Sequence, residues 1–341
     1  MLRGIVVGLG GRGQSWVKVC QESGLAEVAA VVEPVEALRQ TAVERFGLRE
    51  GSAFSSLADA LKAVEADFVL DVTPPAAHES VQLEAIGAGL HVLGEKPLSD
   101  DFAAARRIVA AAEAAGVVHM VAQNYRFGPL PRTTRRVLDE GIIGTPELAK
   151  VDFFQVWALK PGSHYVTMPF PLLTDMGIHH FDLMRYVFGR EPVRVTAQSW
   201  NPSWGWHAGD AGHTAVIEFA GGLIVTHHAL GSTVGKRTTY NGEWRIDGPK
   251  GSLTWEEDRL WLTRTYPQDA ARREEIPLDA VERNTQKGVL AEFVRAVTEG
   301  TVPECSGRDN LHSLALTFAA VQSAKEKRPV EMAELLAEAG D

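Results

Sequence analysis

Three side chains in this sequence could together move a proton and a hydride. They are Lys96, in Glu95-Lys96-Pro97, and Asp175 and His179, in Asp175-Met176-Gly177-Ile178-His179-His180-Phe181-Asp182. An imidazole titrates near neutrality and can take the proton of a hydroxyl as the carbon beside it is oxidised. An ammonium close to the same oxygen stabilises the charge that develops there. Asp175 and His179 are four residues apart, so a regular helix puts them on one face, where the carboxylate can orient the ring or hold a substrate hydroxyl. Asp182 continues that face as a supporting residue, and His180 points elsewhere. No metal is expected: adjacent histidines face about 100° apart on a helix, and Asp175 with His179 is too small a ligand set for a structural zinc.

A hydride needs an acceptor. Gly8-Leu9-Gly10-Gly11-Arg12-Gly13 fits G-x-G-x-x-G, follows the apolar run Ile5-Val6-Val7 and opens a helical stretch. Gly8 permits a tight turn, Gly10 lets backbone approach a pyrophosphate, and Gly13 lets helix and strand pack closely. With Gly11 and Arg12 they frame a helix N-terminus whose N–H groups attract phosphate. Glu33 follows about 20 residues later, where a carboxylate meets the ribose 2′-hydroxyl and repels a 2′-phosphate. That favours NAD over NADP, with Arg39 near enough in sequence to weaken the preference. Thr73-Pro74-Pro75 and His78 either run beside the dinucleotide or form a Pro-rich turn. Gln123, in Gln123-Asn124-Tyr125-Arg126-Phe127, is either a contact near the nicotinamide or structural, and Arg126 is a substrate-side candidate.

These groups need elements to hold them. Ile5–Val7, Val28–Val32, Phe68–Leu70, His91–Leu93 and Val117–Val121 are short apolar runs separated by helical stretches, the pattern of parallel strands buried on both faces. Ser99 to Ala115 is the clearest helix, with Ser99 as its cap and Gly116 as its stop. Lys96 then lies at the carboxyl end of a strand, where open α/β sheets bind ligands. Pro129 and Pro131 mark an irregular connection before a helix from Arg132 to Glu140. Beyond it come the strand-like runs Leu148–Trp157, Val193–Trp200, Thr214–Phe219, Leu223–His228, Glu243–Asp247 and Ser252–Trp255. Helices are expected at Leu172–Phe188, Gln286–Glu299 and Arg308–Glu326. The division predicted is residues 1–123 for the dinucleotide and residues 124–341 for substrate and oligomerisation.

The glycine fingerprint, Glu95-Lys96-Pro97 and Asp175-x-x-x-His179, in that order along nearly the whole chain, resemble the Gfo/Idh/MocA oxidoreductase family. The resemblance implies an α/β N-terminal Rossmann domain with a doubly wound parallel sheet. It also implies an α+β C-terminal domain with a large, mostly antiparallel, open-faced sheet. It casts His179 as general base or acid, completed by Lys96 and Asp175, with Glu95 and Lys96 also beside the cofactor. It implies a cis Lys96–Pro97 bond and subunits paired through the large sheet. Pro75 departs from the family's usual asparagine.

The resemblance leaves the substrate open. Gln155, Trp157 and Lys160, then His164 and Tyr165, could face a polyhydroxylated ligand together with Lys96, Asp175 and His179. For the loop carrying Trp200, Trp204, Trp206 and His207, packing or a subunit interface is favoured over stacking on a sugar. The expected activity is that of an NAD(P)-dependent dehydrogenase or reductase acting on CH–OH groups of a sugar, cyclitol or sugar-derived acid. A glycosidase using transient oxidation would need the same residues, and a non-catalytic dinucleotide sensor would tend to lose Lys96 or His179. A net charge of -10, with no basic run beyond Arg132, Arg135 and Arg136, argues against nucleic acid. Two distant cysteines, no apolar signal segment and no membrane-length apolar run predict a cytoplasmic protein.

Overall fold

The structure is a computed structural model that describes residues 1–157, 162–264 and 272–337, with the backbone alone at His164. The chain divides into two units, Met1–Phe127 with Glu282–Leu311, and Gly128–Val281 with His312–Asp341. Lys160 lies outside the described residues.

In the first unit strands and helices alternate: β1 (Leu2–Val7), α1 (Gly11–Ser23), β2 (Ala26–Val32), α2 (Glu36–Phe46), β3 (Ala53–Phe54), α3 (Leu57–Ala63), β4 (Phe68–Asp71), α4 (Pro75–Gly87), β5 (His91–Gly94), α5 (Phe102–Ala115) and β6 (His119–Val121). The sheet order is β3-β2-β1-β4-β5-β6 and every pair is parallel. The order reverses between β1 and β4, which opens a crevice at the carboxyl ends of the strands. Helix α5 is capped by Asp101 instead of Ser99. The Asp101 carboxylate accepts the Ala104 N–H at 2.7 Å, and Ser99 Oγ accepts the Asp101 N–H at 3.1 Å. Both residue types cap well, and the one still extended just before the first helical turn takes the role.

Residues 282–311, which sequence pattern assigns to the second segment, group with this unit. The helix Thr285–Glu299 seats Val289, Leu290 and Phe293 in the core of the parallel sheet. Phe293 meets Phe68 edge-on with ring centroids 5.3 Å apart. An apolar stripe announces that a helix must be buried, without naming the core that receives it.

The second unit holds β7 (Leu148–Phe154), β8 (Pro192–Trp200), β9 (Gly212–Phe219), β10 (Leu223–Leu230), β11 (Glu243–Gly248), β12 (Gly251–Glu256), β13 (Arg259–Arg264), β14 (Arg272–Ile276) and β15 (Val330–Glu331). They form one sheet, β14-β13-β12-β11-β7-β10-β9-β8-β15, antiparallel except for the β7–β10 pair. Helix α6 (Pro129–Asp139) starts at Pro129, where the sequence pattern suggests an irregular connection. A proline in the first turn has no N–H to forfeit. Thr134 of α6 accepts the Trp255 indole N–H at 2.8 Å, and Trp255 stacks on Trp244 at 4.3 Å. Helix α7 (Gly177–Phe188) is buried except at Tyr186. Its polar residues therefore need partners inside the fold. Ser313 donates to Asp182 at 2.7 Å, and Arg185 pairs with Glu191 at 2.6 Å.

Candidate active site

The glycine turn is built by exclusion. Gly8 has φ 91°, and a Cβ there would fall 2.7 Å from the Val72 carbonyl oxygen. A Cβ on Gly13 would collide with the Gly8 carbonyl oxygen. At Gly10 and Gly11 nothing lies within 4 Å of that position, and no side chain caps α1. Backbone can therefore be approached closely at Gly10 and Gly11, beside a helix N-terminus that no side chain caps, as a pyrophosphate cradle requires.

Three buried carboxylates close the ends of β2, β4 and β5, and each ties down one loop of this edge. Glu33, 8% exposed, accepts the Leu9 N–H at 2.9 Å and the Val35 N–H at 3.1 Å. It holds the glycine turn, and its oxygens keep lone pairs for ribose hydroxyls. Arg39 donates to the backbone carbonyls of Glu33 and Pro34, at 2.5 and 2.9 Å. Asp71, 0% exposed, takes the Thr73 N–H at 3.0 Å and the Thr73 hydroxyl at 2.6 Å on one oxygen. Its other oxygen accepts from the Gln82 amide at 2.9 Å. Glu95, 5% exposed, accepts from Arg12 Nε at 2.5 Å, from Trp16 Nε1 at 2.7 Å and from the Lys96 N–H at 3.2 Å. Glu95 thereby fixes the strand end on which Lys96 stands, ahead of a cis bond to Pro97.

Other expected cofactor residues fall into two kinds. His78 is fully buried with its ring nitrogens against the Thr73 and Leu98 carbonyls, at 2.9 and 3.3 Å. It braces the Thr73-Pro74 turn against the segment after Pro97. Gln123, 1% exposed at the end of β6, has no hydrogen-bond partner for either side-chain amide atom among the described residues. A buried amide left unmade costs about 1–3 kcal/mol, and a carboxamide such as that of nicotinamide supplies the matching donor and acceptor. Arg126, expected on the substrate side, is turned into its own unit and donates to the Glu304 carbonyl at 3.0 Å and Asp309 at 2.8 Å.

In the second unit Asp175 lies in a π turn, Leu172–Met176, where the sequence reading expects regular helix. The Gly177 N–H reaches back to the Leu172 carbonyl, and a Cβ on Gly177 would fall 2.8 Å from that oxygen. Glycine thus lets the backbone close the wider turn just before His179, and such turns gather at functional positions. Gln155, buried at the end of β7, donates its side-chain amide to the Thr238 carbonyl. Trp157 packs against Tyr165 with centroids 4.6 Å apart, and its carbonyl accepts the Trp206 indole N–H at 3.0 Å. Trp204 donates to the Ser232 carbonyl at 3.0 Å, so the Trp-rich loop is fastened to its own unit.

The comparisons with known proteins decide the family. Residues 2–123 match the model described as an oxidoreductase family with an NAD-binding Rossmann fold, and residues 131–254 match the GFO/IDH/MocA C-terminal domain. The chain belongs to the GFO/IDH/MocA oxidoreductase family. It is 28% identical to a D-apiose dehydrogenase of Paraburkholderia graminis over 99% of this chain and 91% of that one. It is also 28% identical to an inositol 2-dehydrogenase of Rhizobium meliloti, covering 96% and 98%. An oxidoreductase from Agrobacterium radiobacter, solved with NAD+, L-tartaric acid and magnesium, shares the fold at TM-score 0.87 and 21% identity, over 98% of this chain and 99% of that one.

Several residues of this GFO/IDH/MocA chain escape sequence reasoning. Behind Asp71, Gln82 accepts from His119 Nε2 at 2.9 Å, and His119 lies against Gly307, where any Cβ would collide with its ring. Under α7, His180 Nε2 donates to the Tyr240 carbonyl at 3.0 Å, His227 Nε2 donates to His180 at 3.1 Å, and His213 Nε2 donates to His227 at 2.9 Å. The carbonyl can only accept, so it sets the tautomer of every ring in the chain. Burial holds His180 at a pKa of about 4 and His213 at about 3. His180 stands in α7, His213 in β9, His227 in β10 and His119 in β6, with no spacing that links them.

Proposed function

We propose that this protein is an NAD-dependent dehydrogenase that oxidises a secondary hydroxyl of a sugar or cyclitol. The observation that carries the reading is the edge where an uncapped helix N-terminus, Glu33, Lys96 and the unpartnered amide of Gln123 gather at the carboxyl ends of one parallel sheet. The names of the relatives, a D-apiose dehydrogenase and an inositol 2-dehydrogenase, point to polyhydroxylated substrates.

Gly10, Gly11 and the head of α1 would hold the pyrophosphate, Glu33 the ribose hydroxyls, Thr73 and Pro74 the neighbouring stretch, and Gln123 the carboxamide. NAD, when bound, supplies the hydride acceptor. Lys96 donates a hydrogen bond to the reacting oxygen and stabilises its negative charge. His179 takes the hydroxyl proton, and Asp175 orients the imidazole or holds a neighbouring hydroxyl. Glu95 keeps Lys96 in place through its backbone N–H.

The test is NADH formation by the purified protein with a panel of cyclitols, aldoses and sugar acids, offered NAD and NADP in turn. Oxidation of a polyol with NAD preferred is the expected result. NADH binding without turnover of any member of the panel overturns the reading. We further propose a cytoplasmic homo-oligomer. Both cysteines are buried thiols, and the outward side of the large sheet presents Leu148 beside Ile224, with Val216 on the next strand. Among the described residues no helix is long and apolar enough to cross a membrane. A monomeric mass in solution would remove the oligomer.

A further inference from the structure

His207 and Ser232 are buried polar side chains without hydrogen-bond partners among the described residues. His207 is 5% exposed, and neither of its ring nitrogens has a hydrogen-bond partner among the described residues. Ser232 is 0% exposed and its hydroxyl is equally unpartnered. A buried polar atom without a partner forfeits the hydrogen bonds it made to water, so two such residues in one neighbourhood ask for an explanation. They do share a neighbourhood. A Cβ on Gly231 would stand 3.4 Å from His207 Cε1 and 3.4 Å from Leu172, the first residue of the π turn that carries Asp175. A Cβ on Gly205 would stand 3.3 Å from Ser232 Oγ.

The walls are aromatic. The Trp157 ring lies nearly parallel to the His207 ring, with centroids 6.2 Å apart, and the Trp206 ring lies at 5.4 Å. The backbone there is pinned. Trp157 donates its N–H to the Gly231 carbonyl at 2.8 Å, and Asn201 donates its side-chain amide to the His207 carbonyl at 2.5 Å. A rigid frame, aromatic faces and unpartnered hydrogen-bonding groups are the makings of a site for hydroxyl-bearing carbon.

We propose that His207 and Ser232 bind hydroxyl groups of the substrate away from its reacting carbon, with Trp157 beside the ring of the same ligand. This deepens the dehydrogenase reading and rests on it. His207 is a specificity-determining residue here, and the imidazole can both donate and accept, as adjacent hydroxyls of a polyol require.

The experiment compares wild type, His207→Phe, His207→Asn and Ser232→Ala on the best substrate of the panel, with NADH affinity and melting temperature measured alongside. Phenylalanine keeps the ring volume and removes the unpartnered nitrogens. The expected result for His207→Phe is a KM raised about tenfold, with kcat within about twofold. NADH affinity is unchanged, and the melting temperature is equal or higher. Ser232→Ala is expected to raise KM by a smaller factor, and His207→Asn to recover part of the loss. A folded His207→Phe with wild-type KM overturns this assignment alone. A wild type that binds NADH and turns over no polyol refutes the dehydrogenase reading and this assignment with it. If His207→Phe melts below wild type and KM rises only together with weaker NADH binding, the residue is structural and the assignment fails.

Discussion

The two units differ in the buried polar groups that stand out in them, carboxylates at strand ends in one and a chain of imidazoles in the other. Along the parallel sheet three buried carboxylates stand at strand ends, each held by backbone or side-chain donors: Glu33 by Leu9 and Val35, Asp71 by Thr73 and Gln82, Glu95 by Arg12, Trp16 and Lys96. In the large-sheet unit the buried groups include imidazoles, a relay of His180, His227 and His213 beneath α7, and His207, which has no hydrogen-bond partner among the described residues. Charge that is fully bonded fixes loops in one geometry, which suits a ligand that never changes. Neutral rings and aromatic walls impose less, which on the proposed reading suits the unit that takes the substrate.

Lys96 is the strongest test of that division, because the proposed mechanism gives it the chemistry while Glu95 holds its backbone. Lys96→Ala is expected to lower kcat about a thousandfold, the cost of deleting one donor to a developing oxyanion, with NADH affinity kept. Steady-state rates beside a fluorescence titration of NADH measure both. Equal loss of turnover and NADH affinity would make Lys96 part of the frame and dissolve the distinction between frame and chemistry.

Asp71→Ala comes next. It strands the Thr73 N–H, the Thr73 hydroxyl and the Gln82 amide in a site that is 0% exposed. A loss of about 3 kcal/mol in unfolding free energy is expected by urea denaturation, with weaker NADH binding through the Thr73-Pro74 turn. A variant as stable as wild type would show that the carboxylate is not a brace.

How far the sequence reveals this arrangement depends on range. Gly8-to-Gly13 and Glu95-Lys96 are legible because strand, turn and helix supply the chemistry within a few consecutive residues. The Asp71–Gln82–His119 relay is not, since its members sit in β4, α4 and β6 and meet through folding alone. Strand β14 escapes the sequence pattern for another reason. Arg272-Arg273-Glu274-Glu275-Ile276 has no apolar alternation, because it closes the sheet as an edge and charge blunts further pairing. Local pattern also cannot announce a π turn, since Asp175 and His179 keep helical spacing whichever way the backbone closes behind them.

The histidines sharpen the comparison through pH. His180 and His213 have folded pKa values of about 4 and about 3, depressed by burial, against an ordinary value near 6.5. The unfolded chain therefore binds more protons than the folded one between those limits. Stability is complete above pH ~6.5 and falls as the pH drops toward 4, by up to ~1.4 kcal/mol per pH unit for each histidine. Urea midpoints across that range measure the slope. His119, held at about 4 by burial, adds to it from the first unit, so His213→Phe and His119→Phe should each flatten part of the curve. If only the His119 variant does so, the relay beneath α7 does not titrate as a buried neutral chain.

Glu33 carries the smallest expected effect and the finest distinction. Its carboxylate has two tasks, holding the Leu9 N–H and discriminating against a 2′-phosphate. Glu33→Gln keeps an acceptor for Leu9 and removes the charge, so the two tasks separate. The KM for NAD is expected to rise about tenfold, and that for NADP to fall by a similar factor as the repulsion disappears. Arg39, already bonded to the Glu33 and Pro34 carbonyls, is placed to favour the phosphate once the carboxylate is gone. Cofactor KM values for the variant and for Glu33→Gln with Arg39→Ala measure this directly. If both cofactors weaken together, Glu33 acts as a brace like Asp71. If NADP improves and the gain vanishes without Arg39, even the carboxylate frame of the first unit retains one residue that chooses its ligand.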